Sequence, residues 1–178
     1  AWPEAMPRPN VKIELRAAAK AERLLFPVNE VAAGAAAPGH VAGMPDADSV
    51  FRRVQPFYWF DGSNIPALGF AAWLTANAES AHIIATDRQL RVGEHNVPLD
   101  RQGNAILRFR GPGGLPEAIS AAAVIQSELR LREGETPSLS PDVFKDCYVF
   151  FGFSAPGLMD LRSVPASDKP YPGVEIHA

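Results

Sequence analysis

One seven-residue run limits the folds open to this chain more than any other stretch. Residues 147–153 (CYVFFGF) are almost wholly apolar and aromatic. Such a run suits a strand covered on both faces of a sheet. It predicts a buried closing strand. Residues 141–146 then form a short turn or helical lead-in, and Ser154-Ala155-Pro156-Gly157 breaks the strand. Beyond the break lie a polar loop at 160–165 and a terminal segment at 172–178. A buried strand followed by a Gly-containing loop with one acid and one base is where α/β folds place sites. Asp160 and Arg162 are therefore candidate ligand-binding residues. Extended backbone sets i and i+2 on one side. The pair either meets an anionic ligand or closes on itself as a salt bridge.

Composition narrows the class. With 178 residues and 47% hydrophobic content the chain is long and apolar enough for a real core, so disorder is not expected. Net charge is -3 and no basic run stands out, so nothing points to nucleic acid. The single cysteine, Cys147, lies inside the apolar run and reads as a buried, inert thiol. It allows no internal disulfide and neither supports nor excludes export. The longest apolar candidate, residues 65–76, contains Pro66 and Gly69 and falls short of the roughly 20 residues a span needs. No signal peptide is expected within these residues.

Residues 1–10 carry three prolines and predict a loose lead-in. Residues 17–23 read as helix or coil, and 31–43 as a short helical turn followed by a loop. Residues 49–60 (SVFRRVQPFYWF) predict a strand that Pro56 turns into an edge, a bulge or two short strands. After an Asp61-Gly62 turn, Ser63 or Asn64 is expected to cap a helix reaching about Glu79, with Leu68, Ala71, Ala72, Leu74 and Thr75 as its packing stripe. Ile83 and Ile84 lie in a short apolar stretch. A meander follows at 89–92, 97–99 and 105–110, turned at 93–96 and 100–103. Ile119 or Ser120 opens a helix to about Arg132. This mixture predicts an α/β or α+β fold, with a mixed β-sheet, a β-meander and two or more packed helices. Arg53 and Arg110, on a strand or at its end, join the candidate ligand-binding residues.

The stretch "FKDCYVFFGFSAPGLMDLRSVP…YPGVEIHA" resembles the closing signature of the type 2 CHASE domain. The matching elements are the apolar strand, the turn at 154–158, Asp160, Pro165 and Pro172-Gly173-Val174-Glu175-Ile176-His177-Ala178. "MPDADSVFRRVQPFYWFDGSNIPALGFAAWL" resembles the family's central segment, through Asp48 and Arg53. Where the family pattern places Gly this chain has Ser49, which argues against a tight positive-φ turn. "VPLDRQGNAILRFRGPGG…ISAAAVI" resembles the next segment, through Gly103, Arg110-Gly111-Pro112 and Ser120-Ala121-Ala122. The resemblance covers roughly residues 41–178. It implies one sensory domain there, lacking its upstream half, behind an irregular N-terminal segment at 1–40.

The resemblance further implies an extracytoplasmic sensory domain of a bacterial transmembrane receptor, with a nucleotide cyclase, histidine kinase or similar output domain elsewhere. It implies tethering to the membrane through segments outside this chain, work as a homodimer, and a small-molecule or protein ligand whose identity is open. No cofactor, metal or catalytic residue is expected, so the domain is not an enzyme.

The alternatives rest on single features. A small serine hydrolase would use Ser154, but the nucleophile-elbow pattern wants Gly where Pro156 stands. Gly111-Pro112-Gly113-Gly114 lacks the Lys-Ser/Thr ending of a phosphate loop. The four histidines are scattered without metal-ligand spacing, and His177 reads as structural. The aromatics at 57–60 either pack in the core, form an interface or line a pocket. A dimerisation domain without a small ligand is the remaining reading.

Overall fold

Prolines and glycines, 17 and 14 of them, interrupt nearly every apolar run, so the strands are short. The computed structural model describes residues 1–9, the backbone of 13–15, and residues 19–77, 82–113, 118–153 and 160–178. Within 1–40, strands β1 (Ile13–Leu15) and β2 (Ala19–Lys20) precede the short helix α1 (Asn29–Ala33). Strand, not helix, therefore occupies Ala19 and Lys20. Residues 1–9 are tied down as well. The Trp2 backbone N–H donates to Asp61 at 2.8 Å, and Arg8 donates to Ser63 Oγ at 2.8 Å.

Pro56 splits the expected strand at 49–60 in two, as its missing N–H requires. The pieces are β3 (Arg53–Val54) and β4 (Phe57–Phe60). The parallel partner of β4 is β2, and its antiparallel partner is β5 (Ser63–Pro66). The β4–β5 turn is Asp61-Gly62, with φ of 46° and 80°. Positive φ at both central residues is what a two-residue type I′ hairpin demands. Ser63 and Asn64 thus belong to a strand and cap no helix. Helix α2 (Leu68–Ala76) begins after Ala67, which offers no capping side chain. Instead the Leu68 N–H donates to the His40 carbonyl at 2.9 Å, and the Ala67 N–H to the Pro56 carbonyl at 2.9 Å. Neighbouring backbone satisfies the donors that a helix start leaves unpaired.

The meander begins one strand earlier than expected, as β6 (Ile83–Ala85), β7 (Gln89–Val92) and β8 (His95–Pro98), and residues 105–110 are not part of it. With β1 parallel to β6, the sheet order is β1-β6-β7-β8. Alternation along β7 sends Leu90 and Val92 inward and Gln89 and Arg91 outward. Ile83, Ala85, Leu90 and Val92 form the core with Phe57 and Leu74, flanked by Phe70, Trp73, Val97 and Leu99. Each large side chain in this cluster contributes about 1.5–3 kcal/mol by leaving water. Strand β9 (Ala105–Ile106) is shorter than the expected 105–110 and pairs with β3.

Helix α3 (Ala121–Arg132) follows Ser120, whose side chain accepts no capping hydrogen bond. The buried Ser127 Oγ accepts the Leu139 N–H at 3.0 Å and so fastens the segment that leads to a 3-10 turn at Pro141–Phe144.

Residues 147–153 are not a buried strand. They pair with no described strand, and Tyr148 and Phe151 are 52% and 76% exposed. Cys147 is exposed too, not buried. An aromatic run prefers the extended state, but a strand also needs a neighbour with free N–H and C=O groups. The segment instead meets the rest of the fold at Gly152, packed beside Val174, and at Tyr148, whose hydroxyl accepts from Asn77 Nδ2 at 3.4 Å. The expected polar loop at 160–165 is largely strand. Strand β10 (Leu161–Val164) pairs antiparallel with β11 (Ser167–Pro172), with a bulge between Arg162 and Val164, and β11 runs into helix α4 (Gly173–His177). Among the described residues, sheets of mixed direction and four α-helices place the chain in the α/β or α+β class.

Candidate functional site

Arg52 and Arg53 are consecutive near β3, yet one carboxylate meets both. Asp46 accepts from Arg52 at 3.0 Å and also pairs with Arg53. The turn between them makes this possible. The Ser49 N–H donates to the Asp46 carbonyl at 2.8 Å, and the Asp46 N–H to the Val50 carbonyl at 2.9 Å. Ser49 has φ of 66°, so the positive-φ turn forms despite the missing glycine. Asp48 takes both Arg52 Nη atoms at 2.8 Å. Those hydrogen bonds hold the Asp48 carboxyl down at about 2.

The turn after β8 supplies the opposite wall. Asp100 Oδ1 accepts the Asn104 N–H at 2.8 Å and the Gln102 N–H at 2.9 Å. Burial raises the Asp100 carboxyl, but these bonds and the Arg53 charge outweigh it and hold the group below its ordinary value. Arg53 Nε lies 3.3 Å from Asp100 Oδ2, too far off line for a hydrogen bond, so this buried N–H is unsatisfied while the charges attract.

Between the two turns opens a cleft of about 220 Å³, lined by Asp46, Arg53, Gln55, Tyr58, Asp100 and Asn104 among others. Among the described residues no group of three or more His, Cys, Asp or Glu could hold a metal ion.

A run of contacts leads from the cleft to the last helix. Phe51, two residues before Arg53, donates its N–H to the Ser163 carbonyl at 2.8 Å. The Arg162 guanidinium sits 5.6 Å from the Phe51 ring centroid and 3.2 Å from Asp160 Oδ1. The Asp160 carbonyl accepts the Gly173 N–H at 2.8 Å, where α4 begins. The far end of α4 rests on α2, for the His177 carbonyl occupies the space a Cβ on Gly69 would need. Nearby, His40 is 6% exposed; its Nε2 lies 3.0 Å from the Gln55 carbonyl and its Nδ1 is unpaired. Burial lowers the His40 ring to about 4, and burial also lowers His177, against the opposing pull of Asp160.

Of the four residues marked in the sequence, the structure places Arg53 in the cleft. Asp160 and Arg162 are brought together, but as a salt bridge beside α4. Arg110 is exposed beyond β9, in no ion pair with a described residue. Asp46, Gln55, Asp100 and Asn104 were missed. The Asp100-to-Asn104 turn carried a signal, since Asp before a Gly-Asn step folds onto its own backbone. Ser154 lies outside the described residues.

This arrangement defines a mixed α/β domain with a polar, salt-bridged cleft tied to its C-terminal helix. The chain belongs to the CHASE2 domain family, whose profile matches residues 5–178 and so begins well before residue 41. CHASE2 domains are extracellular sensory domains of signalling receptors, which gives this chain a sensory role outside the cytoplasm. No curated protein and no solved structure matches it. Among the described residues no helix is long and apolar enough to cross a membrane.

Proposed function

We propose that this chain is the stimulus-sensing domain of a bacterial transmembrane receptor, with the cleft beside Arg53 as its input and α4 as its output. The observation that supports this is the contact run from β3 through Phe51, Ser163 and Asp160 to Gly173. A stimulus acts by differential binding. It favours one arrangement of the 46–55 segment, and the β10–β11 hairpin carries that preference to α4. The domain performs no chemistry. The output is a nucleotide cyclase, a histidine kinase or a related enzyme in the parent chain, and a second copy of the receptor is the partner.

Cys147 provides the test, because its thiol is exposed. Cells expressing the intact receptor are treated with a membrane-impermeant maleimide. Labelling of intact cells that disappears in Cys147→Ser supports a domain outside the membrane. Labelling that requires permeabilised cells overturns the proposal.

A further inference from the structure

We infer that the cleft binds a small, neutral polyhydroxy compound of about monosaccharide size. The inference rests on the sensory reading above and names the ligand class of the same site. Gln55 lines the cleft and is only 7% exposed, yet its side-chain amide hydrogen-bonds no described residue. That amide opens onto the cleft with its donors and acceptor free, which suits a ligand that both donates and accepts.

The charges narrow the class. Among the described lining residues the one cation is Arg53, and its charge is shared between Asp46 and Asp100, so an anion finds no uncompensated cation. Asp46 is neutralised by Arg52 and Arg53, and Asp100 is occupied by the N–H groups of Gln102 and Asn104, so an amine has no unmatched carboxylate to pair with. What remains is a set of fixed, planar polar groups with spare capacity. The second lone pairs of the carboxylates accept, and the amides of Gln55, Gln102 and Asn104 donate and accept. Hydroxyl groups on adjacent carbons match such groups, and the Tyr58 ring offers an apolar surface for the carbon skeleton. At about 220 Å³ the cleft is below the usual range for drug-sized ligands.

The test is thermal denaturation and isothermal titration of the chain with D-glucose, D-galactose, D-ribose and myo-inositol. Putrescine and succinate serve as the charged comparators. The expected result is that at least one polyhydroxy compound raises Tm by about 5–10 °C at a hundredfold excess over Kd. That rise is lost in Gln55→Met, which keeps the volume and removes the amide. If Gln55→Met does not fold, the exposed Gln102→Ala is titrated instead and is expected to bind at least tenfold more weakly. Sugars also stabilise proteins by exclusion from the surface. An equal rise in wild type and Gln55→Met therefore overturns the inference. Stabilisation by putrescine or succinate alone overturns the ligand class and leaves the cleft as the input. No response to any compound overturns both, while the receptor assignment stands or falls separately on Cys147 labelling.

Discussion

Ser49 carries a local strain that the sequence alone does not resolve. Its φ of 66° is left-handed, which costs a residue with a Cβ roughly 1–2 kcal/mol. Glycine avoids that cost and loses about 0.5–1 kcal/mol in extra backbone entropy. Ser49→Gly is therefore expected to stabilise the chain by up to about 1 kcal/mol, read as a higher urea midpoint at unchanged slope. A lower midpoint would mean that the Ser49 side chain does more for the Asp46–Arg52 turn than its backbone costs. His40 sets a second residue-scale expectation. In the unfolded chain it takes up a proton near pH 6.5, but in the folded chain only near about pH 4. Between those values the unfolded state binds more protons, so stability falls as the pH falls. The loss amounts to at most about 3 kcal/mol, and His177, lowered in the same direction, adds to it. Urea melts from pH 7 to pH 4 should show this slope, and His40→Gln should flatten it. A slope unchanged in His40→Gln would assign the effect elsewhere.

Elements in this fold are fixed by their neighbours more than by their own sequence. The β4–β5 hairpin was written in the chain, since Asp61-Gly62 between β-forming residues is the type I′ pattern. Reading Ser63 and Asn64 as helix caps ignored it, because the same residue types serve both roles. Residues 121–132 read correctly as a helix, for Ser120 opens it and Glu133-Gly134 closes it. Residues 147–153 misled, because an apolar run states a preference and carries no information about whether a partner strand is present. The cleft was half legible: Arg53 stood out as a charge on a strand, whereas Asp46 and Asp100 reach it only through two turns far apart in sequence. One element contact is directly testable. A Cβ at residue 69 would strike the His177 backbone, which is less able to move than a flexible side chain. Gly69→Ala should cost about 1–3 kcal/mol, as overpacking does. Hydrogen exchange should show α4 amides losing protection before those of β7. Equal loss in both elements would mean that α4 does not move as a separate unit.

Taken whole, the molecule joins a polar cleft to its last helix through contacts that are individually weak. The Asp160–Arg162 pair is about one third exposed on each side, and such pairs contribute roughly 0–1 kcal/mol. The Arg162–Phe51 contact adds about 0.5–1 kcal/mol. Neither holds the fold together, and Arg162 also donates to the Leu161 carbonyl at 3.1 Å, so Arg162→Ala should lower stability by about 1–2 kcal/mol. Its larger effect is on communication. If the 46–55 segment and the β10–β11 hairpin move as one unit, removing Arg53 from the cleft shifts the hairpin through Phe51, and removing Arg162 shifts it from the other side. The two changes then cannot be independent. Urea melts of Arg53→Gln, Arg162→Ala and the double variant are expected to deviate from additivity by about 0.5–2 kcal/mol. Independent sites add within about 0.3–0.5 kcal/mol. Additivity at that level would show that the cleft and α4 share a molecule without sharing a state, and a sensor built this way would need another route from stimulus to output.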